Sequence, residues 1–219
     1  METNVRIVQA DAVLAAEYET EIAELVYATG PVSYDYHFPK RVIFDEMVNR
    51  SWRVDGTLFA ADATRLALEG DQLLGIEIGF HGPEFRERQA ALGPLWAGML
   101  DEGIASDEDL KLVLARSSHA QWLNPVVHAG VHYVHALSVT PEARGKRVGM
   151  QLLSQAMSAA KSAGHKELQL DVLSDNPAVN FYQSMGLELL VESRAPKPQE
   201  HGVPPEWRMG IDLDEGTSE

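Results

Sequence analysis

Residues 141–153 read PEARGKRVGMQLL, and three of the four side chains from Arg144 to Arg147 are basic. They stand in an acidic chain, where 18 Lys and Arg face 33 Asp and Glu for a formal charge of −15. Gly145 lies among the cations, Gly149 follows, and an apolar helical run begins at once. The first turn of a helix carries unpaired N–H groups and a partial positive charge, both of which attract phosphate. A glycine lets such amides approach an anion with no Cβ in the way. The chemistry of this stretch is the binding of a pyrophosphate, cradled by Arg144, Gly145, Lys146, Arg147, Val148 and Gly149. Taken alone, it also fits a solvent-facing turn. Neither the P-loop pattern nor the dinucleotide-binding glycine triplet is present.

A base candidate lies just upstream. VHYVHALSV (131–139) alternates as a strand, which sets His135 on one face with Tyr133, Leu137 and Val139, and His132 on the other. An imidazole titrates near neutral pH and can take up and release a proton. The competing role for His135 is that of a satisfied core histidine. Glu77, in the run LLGIEIGF, is the runner-up base, or else one residue of a solvated strand face. His128, His132 and His135 have a tempting spacing for metal, but strand alternation separates the last two, so no metal site is expected. With no cysteine, disulfides and a thiolate nucleophile are excluded.

These residues need elements to position them. VRIVQA (5–10) is a strand, and residues 11–29 suit a helix opened by Asp11. GPVSYDYHFPK (30–40), rich in turn residues, reads as a loop, and a helix follows over 41–52. Residues 64–80 read as a hairpin broken at Glu69-Gly70-Asp71. Residues 83–127 have two helical patterns, the second capped by Ser106, and read as an insertion between strands. Strand 131–139, helix 146–164 and strand 166–173 imply a parallel pair with a right-handed crossover. A short helix over 176–186 starts at Asn176 and stops at Gly186, and two antiparallel strands flank a Pro-rich loop. The result is an α/β domain over 1–213, a mixed sheet with helices on its faces, and a frayed tail over 214–219.

The segment from Arg144 to Gly149 resembles the Arg/Gln-x-x-Gly-x-Gly/Ala motif of the Gcn5-related N-acetyltransferase (GNAT) superfamily. Arg144 takes the first position and Gly149 the last, while Arg147 stands where the middle glycine is usual. A second segment, NPAVNFYQSMGLE (176–188), resembles the family's later motif through Asn176, Ala178, Tyr182 and Gly186, with Leu187 in place of Phe. The resemblance covers roughly residues 131–190 and does not extend to 83–127. It implies a mixed, mostly antiparallel sheet with a central parallel pair. It also implies acetyl-CoA as co-substrate, held through its pyrophosphate, with Asn176 at the cofactor side. The backbones of Leu137 and Val139 would face the acetyl group and pantetheine arm. Tyr182 matches the tyrosine that protonates the departing thiolate. His135 stands where related arylalkylamine-type enzymes have a histidine assisting deprotonation. The segment with Tyr34, Asp35 and Tyr36 lies where family members bind the acceptor, and Asp35 could pair with a cationic amine.

The expected activity is acetyl transfer to a primary amine, on a small molecule or a peptide, by direct attack in a ternary complex. An inactive acyl-CoA-binding sensor is the alternative, and an interaction module built on the insertion, including a homodimer, is a third. The acidic balance opposes nucleic acid as a partner. No apolar run approaches the roughly 18 residues of a membrane span, and no signal peptide is visible, so a cytoplasmic location is expected.

Overall fold

A computed structural model describes residues 5–121, 123 and 126–214. Strand β1 (Arg6–Gln9) is followed by α1 (Ala12–Glu17), α2 (Glu19–Tyr27), α3 (Pro31–His37) and α4 (Arg41–Trp52). The hairpin is β2 (Thr64–Glu69) and β3 (Gln72–His81). Next come α5 (Phe85–Ala90), α6 (Leu95–Asp101) and α7 (Asp107–Ala120). The crossover is β4 (Val131–Val139), α8 (Val148–Ser162) and β5 (Glu167–Leu173). The chain ends with α9 (Ala178–Ser184), β6 (Glu188–Ser193), α10 (Pro196–Glu200) and β7 (Glu206–Asp212). The tail residues 215–219 lie outside the described residues.

The strands form one seven-stranded sheet in the order β1-β2-β3-β4-β5-β7-β6. Among the described residues only β4 and β5 are parallel, as the crossover demands. On one face Ile22, Val26, Phe44, Val48 and Trp52 of α2 and α4 pack on Leu66, Ile76, Ile78 and Tyr133. On the other, Leu152, Leu153, Ala156 and Ala160 of α8 pack against Ala67, Leu74, Val134, Leu168 and Leu170. With helices covering both faces, β3 is buried almost throughout rather than on alternate residues.

Three segments depart from the sequence expectations. The helix over 11–29 is broken at Tyr18, whose buried ring and hydroxyl bond to the Asp71 carbonyl anchor the junction. The expected loop over 30–40 contains a helix, α3, with Pro31 in its first turn and Tyr34 stacked into the aromatic cluster of Tyr27 and Phe44. Tertiary burial of those rings overrides weak local propensity. The Pro-rich loop likewise carries α10, opened by Pro196.

The cap on α7 is the one expected. Ser106 Oγ accepts from the Asp109 amide at 3.2 Å, and Asp109 Oδ2 accepts from the Ser106 amide at 3.0 Å. Lys40 donates to the same carboxylate at 2.8 Å and, with the cap, holds it down at about 2. Ser106→Ala is expected to cost about 0.5–2 kcal/mol of stability, read from a urea unfolding curve. An unchanged midpoint would show that the cap contributes nothing.

Candidate active site

Strands β4 and β5 pair only from Val131↔Glu167 to Val134↔Leu170. Beyond that point β4 continues against β3 alone, and β5 against β7 alone. The strands part, and a cavity of about 650 Å³ fills the gap. It is lined from both faces of the sheet: Phe59, Phe85, Tyr133 and His135 on one side, Leu137, Ala178 and Tyr182 on the other. A site at the carboxyl end of a parallel pair is where open α/β sheets bind ligands.

The parting also exposes backbone. The Thr140 amide donates to the Leu74 carbonyl at 2.8 Å, which makes this opposed pair a hydrogen-bonded one. Antiparallel alternation then turns the N–H and C=O groups of Leu137 and Val139 away from β3 and into the gap.

At the end of β4 the chain forms the cationic turn. Gly145 has φ 77°, and Arg147 has φ 63°, the one positive φ among the described non-glycine residues. Arg147 thus adopts the left-handed conformation that a glycine would take without strain. It caps α8 with no side-chain hydrogen bond, so the amides of Val148, Gly149 and Met150 open the helix without an intrahelical acceptor. Arg144, Lys146 and Arg147 are exposed, and none has an ion-pair partner among the described residues. Most other arginines of this acidic chain, such as Arg41, Arg50, Arg53, Arg65 and Arg88, are engaged by carboxylates. A Cβ on Gly149 would meet Phe181, Leu137 and Val139 at 3.7–3.8 Å, an ordinary contact.

Tyr182 sits at the cavity wall with 7% of its surface exposed. Burial pushes its phenol up to about 12, so it holds its proton throughout the neutral range. His135 stands at a bulge: Ile78 opposes Ala136 and Gly79 opposes Val134, leaving His135 unopposed. The bulge corrects the alternation expected from the sequence. His135 keeps Tyr133's face, with its ring 5.3 Å from that of Phe59, whereas Leu137 and Val139 turn to the α8 face. Its Nε2 is buried without a hydrogen-bond partner among the described residues, and desolvation brings the imidazole down to about 4.

The other candidates divide between the cavity wall and places away from it. Glu77 is fully buried rather than solvated, on the face away from His135. It accepts from Arg65 at 2.7 Å and lies 3.7 Å from His132 Nε2. Asp35 is exposed and accepts from the Tyr27 hydroxyl at 2.9 Å, so it lines no part of the cavity. Tyr36 packs into a side cluster with Ala120, Leu123 and Leu173. Of that trio only Tyr34 reaches the cavity, with its phenol pushed up to about 12 by burial. Asn176 lines the cavity, but its Oδ1 accepts from the Ala178 amide at 2.9 Å and its Nδ2 donates to Thr29 O at 3.3 Å. It ties the start of α9 to the turn before α3. The three histidines at 128, 132 and 135 go to separate places, the first beside Glu167 and the second beside Glu77.

Sequence reasoning missed two sets of residues. The α5–α7 segment roofs the cavity through Arg86, Gln89, Trp96, Val113 and Ser117. Asp171 and Glu206, on β5 and β7, stand in its wall. Arg208 binds Asp171 through Nε at 2.5 Å and Nη2 at 2.7 Å, and the Tyr133 hydroxyl donates to Asp171 at 2.9 Å. Burial, then the Asp171 charge, raise the Glu206 carboxyl well above its usual range, against the opposing pull of Arg208. No local pattern marks Glu206. Only the adjacency of β5 and β7 brings it to the gap.

Residues 114–187 match the model of the Acetyltransferase (GNAT) family. Over 68 residues the chain is 31% identical to an uncharacterized N-acetyltransferase of Methanocaldococcus jannaschii, a match covering 31% of this chain and 30% of that protein. The match thus spans less than a third of that relative's length. Among solved structures, an N-acetyltransferase from Staphylococcus aureus Mu50 superposes with a TM-score of 0.67 at 18% identity, covering 94% of this chain and 100% of that one. The ribosomal-protein-S18-alanine N-acetyltransferase from Escherichia coli gives 0.54 at 13% identity, covering 98% and 97%. A Drosophila melanogaster polyamine N-acetyltransferase gives 0.58 at 16% identity, covering 95% and 100%. At these identities the structural likeness concerns the fold.

Proposed function

We propose that the chain is an acetyltransferase of the GNAT type, as the match of residues 114–187 to that family's model supports, and that it moves an acetyl group from acetyl-CoA to a primary amine by direct attack in a ternary complex. One observation carries the reading. The parting of β4 and β5 after Val134 opens a cavity lined by Leu137 and by Tyr182, whose phenol burial keeps protonated, and the backbone groups of Leu137 and Val139 turn away from β3 beside it.

The chain's residues divide the work. Backbone amides at the start of α8, with Arg144, Lys146 and Arg147 around them, suit the pyrophosphate of the co-substrate. The inward backbone of Leu137 and Val139 suits the amide-bearing pantetheine arm. An amine attacks only as the neutral base, so an ammonium must first lose a proton. His135 is neutral at pH 7 and its Nε2 has no hydrogen-bond partner among the described residues, which fits it to take that proton, directly or through water. As the new C–N bond forms and the C–S bond breaks, Tyr182 donates its proton to the departing thiolate. Glu77, paired with Arg65 away from the cavity, has no part in this scheme.

The test is calorimetry with acetyl-CoA, followed by release of free CoA over an unbiased amine panel. Tight binding and release with at least one amine are expected. Binding without release from any amine would favour a sensor, and no binding would remove the reading. Arg147→Gly relieves a left-handed side chain, so the thermal midpoint should hold or rise while the Kd for acetyl-CoA rises several-fold. A lower midpoint with unchanged Kd would assign Arg147 a purely structural role.

His135 makes a further prediction. The unfolded chain protonates this imidazole below about 6.5, and the folded chain only near 4. The unfolded state therefore binds the extra proton between these values, and stability falls as pH drops through that window. His135→Phe should flatten the difference between urea midpoints at pH 4.5 and pH 7.5. An undiminished difference would show that His135 is not the buried neutral group.

A further inference from the structure

The bulge that carries His135 has polar side chains on its reverse face. Glu77 lies on one side of it, opposed to Leu137, and His132 on the other, opposed to His81. Both are buried. Glu77 Oε1 and His132 Nε2 approach to 3.7 Å across the bulge. Neither atom has a hydrogen-bond partner among the described residues. A carboxylate oxygen facing a bare imidazole nitrogen sets lone pair against lone pair. A hydrogen on Nε2 turns the same contact into an attraction, which a low dielectric strengthens. Arg65, opposed to Glu77 on β2, donates to the other oxygen of Glu77 at 2.7 Å. A chain of polar contacts thus runs from β2 through β3 to β4.

Gly79 is the residue that lets the two meet. It follows Glu77 by two positions on β3, and a Cβ there would clash with both Glu77 Oε1 and His132 Nε2. Beyond His132 stands His165, with ring centres 5.6 Å apart, and His81 stacks on His165 at 5.3 Å. Glu84, just past β3, is the acid that acts on His165. A bulge is one extra residue in a ladder, and its place is set by the contacts on either side of it. Were it to slide by one residue, the side chains of β4 beside it would change faces and His135 would leave the cavity.

We propose that Arg65, Glu77 and His132 staple the bulge from its reverse face, which makes Glu77 and His132 positioning residues for His135. The staple needs a hydrogen on His132 Nε2 and no side chain at position 79. Glu77 stays outside the chemical steps and acts through the register of β4. The staple's bearing on turnover rests on the transferase reading above, and its bearing on the His135 ring does not.

The whole protein, labelled with 15N in its histidines, shows by long-range 1H–15N correlation which ring nitrogens carry hydrogen. His132 Nε2 should carry one at neutral pH, and a bare Nε2 overturns the staple even if every variant folds poorly. Two variants follow. His132→Leu removes the donor, while His132→Gln offers an amide N–H to Glu77 in its place. The His135 ring meets Phe59, Phe80, Phe85 and Tyr133, of which only Tyr133 titrates, and burial keeps its phenol neutral. The His135 midpoint therefore reports how dry its ring is. It should lie near 4 in the wild type and above about 5 in His132→Leu, because a slack bulge lets water reach the ring. In the same variant kcat should fall about 10- to 100-fold, the cost of a displaced catalytic group, with the acetyl-CoA Kd within about threefold. His132→Gln should recover most of both. An unmoved His135 midpoint in His132→Leu overturns the staple, and so does a glutamine variant as impaired as the leucine one. Loss of the transferase reading has a different signature: the wild type releases no CoA with any amine, while the His135 midpoint still judges the staple.

Discussion

Tyr182→Phe is expected to lower kcat by about 10²- to 10⁴-fold at neutral pH, the range associated with a positioned general acid, if Tyr182 has the role proposed above. The acetyl-CoA Kd stays within about threefold, because the ring that packs with Val179 and Leu187 is retained and only the hydroxyl is lost. The phenol is buried among apolar groups, and no hydrogen bond to its hydroxyl occurs among the described residues, so the variant leaves no protein partner orphaned. A stability loss therefore cannot mimic the effect. Since burial holds the phenol at about 12, the defect should be uniform between pH 6 and 9. Steady-state rates across that range decide it. Full kcat in the phenylalanine variant would remove Tyr182 from the chemistry and leave water as the thiolate's proton source.

The largest stability effect is expected from Arg208→Met. The guanidinium is buried, with 4% of its side chain exposed, and it satisfies Asp171 at two points. Removing one partner of a buried ion pair leaves an uncompensated charge, which costs about 3–5 kcal/mol. The pH dependence has a definite sign. Glu206 already titrates well above its unfolded value of 4.5, because of burial first and Asp171 second, and Arg208 opposes that rise. A carboxyl with a raised folded pKa contributes stability at pH below the unfolded value and loses it as pH rises through the folded one. Without Arg208 the raised value climbs further, so the variant should be hurt more at pH 8 than at pH 5. Urea midpoints at the two pH values test this. A larger loss at pH 5 would show that Glu206 is ionised and stabilised by something other than Arg208.

Local features of the site were legible in the chain because local rules produce them. A strand, a glycine-spaced turn and a long amphipathic helix require only neighbours in sequence, and β4, the turn at 144–149 and α8 all formed there. Gly145 adopts its positive φ, Gly164 and Gly186 end their helices with positive φ, and Ser106 caps α7. Tyr182 reaches the cavity because α9 follows β5 after a short turn. Face assignments failed where alternation was interrupted. A single unopposed residue at the bulge sends Leu137 and Val139 to the face opposite His135, since a strand's side chains have a period of two.

The acceptor side was the part least legible. Asp35 and Tyr36 belong to a helix whose packing, not its composition, sets their direction, and the packing carries them outside the cavity. Glu77 was visible as a strand carboxylate, but its partner Arg65 comes from the neighbouring strand on the face away from the site.

By itself, the sequence determined the crossover unit, the cationic turn and the tyrosine downstream, because each depends on contacts within a few dozen residues. Only the tertiary structure decided where β4 and β5 part, that α5–α7 roofs the gap, and that Glu206 stands in its wall. Those features depend on register and strand order across the whole sheet, where β5 has β7 as its neighbour, and no local period encodes which distant strand will lie alongside.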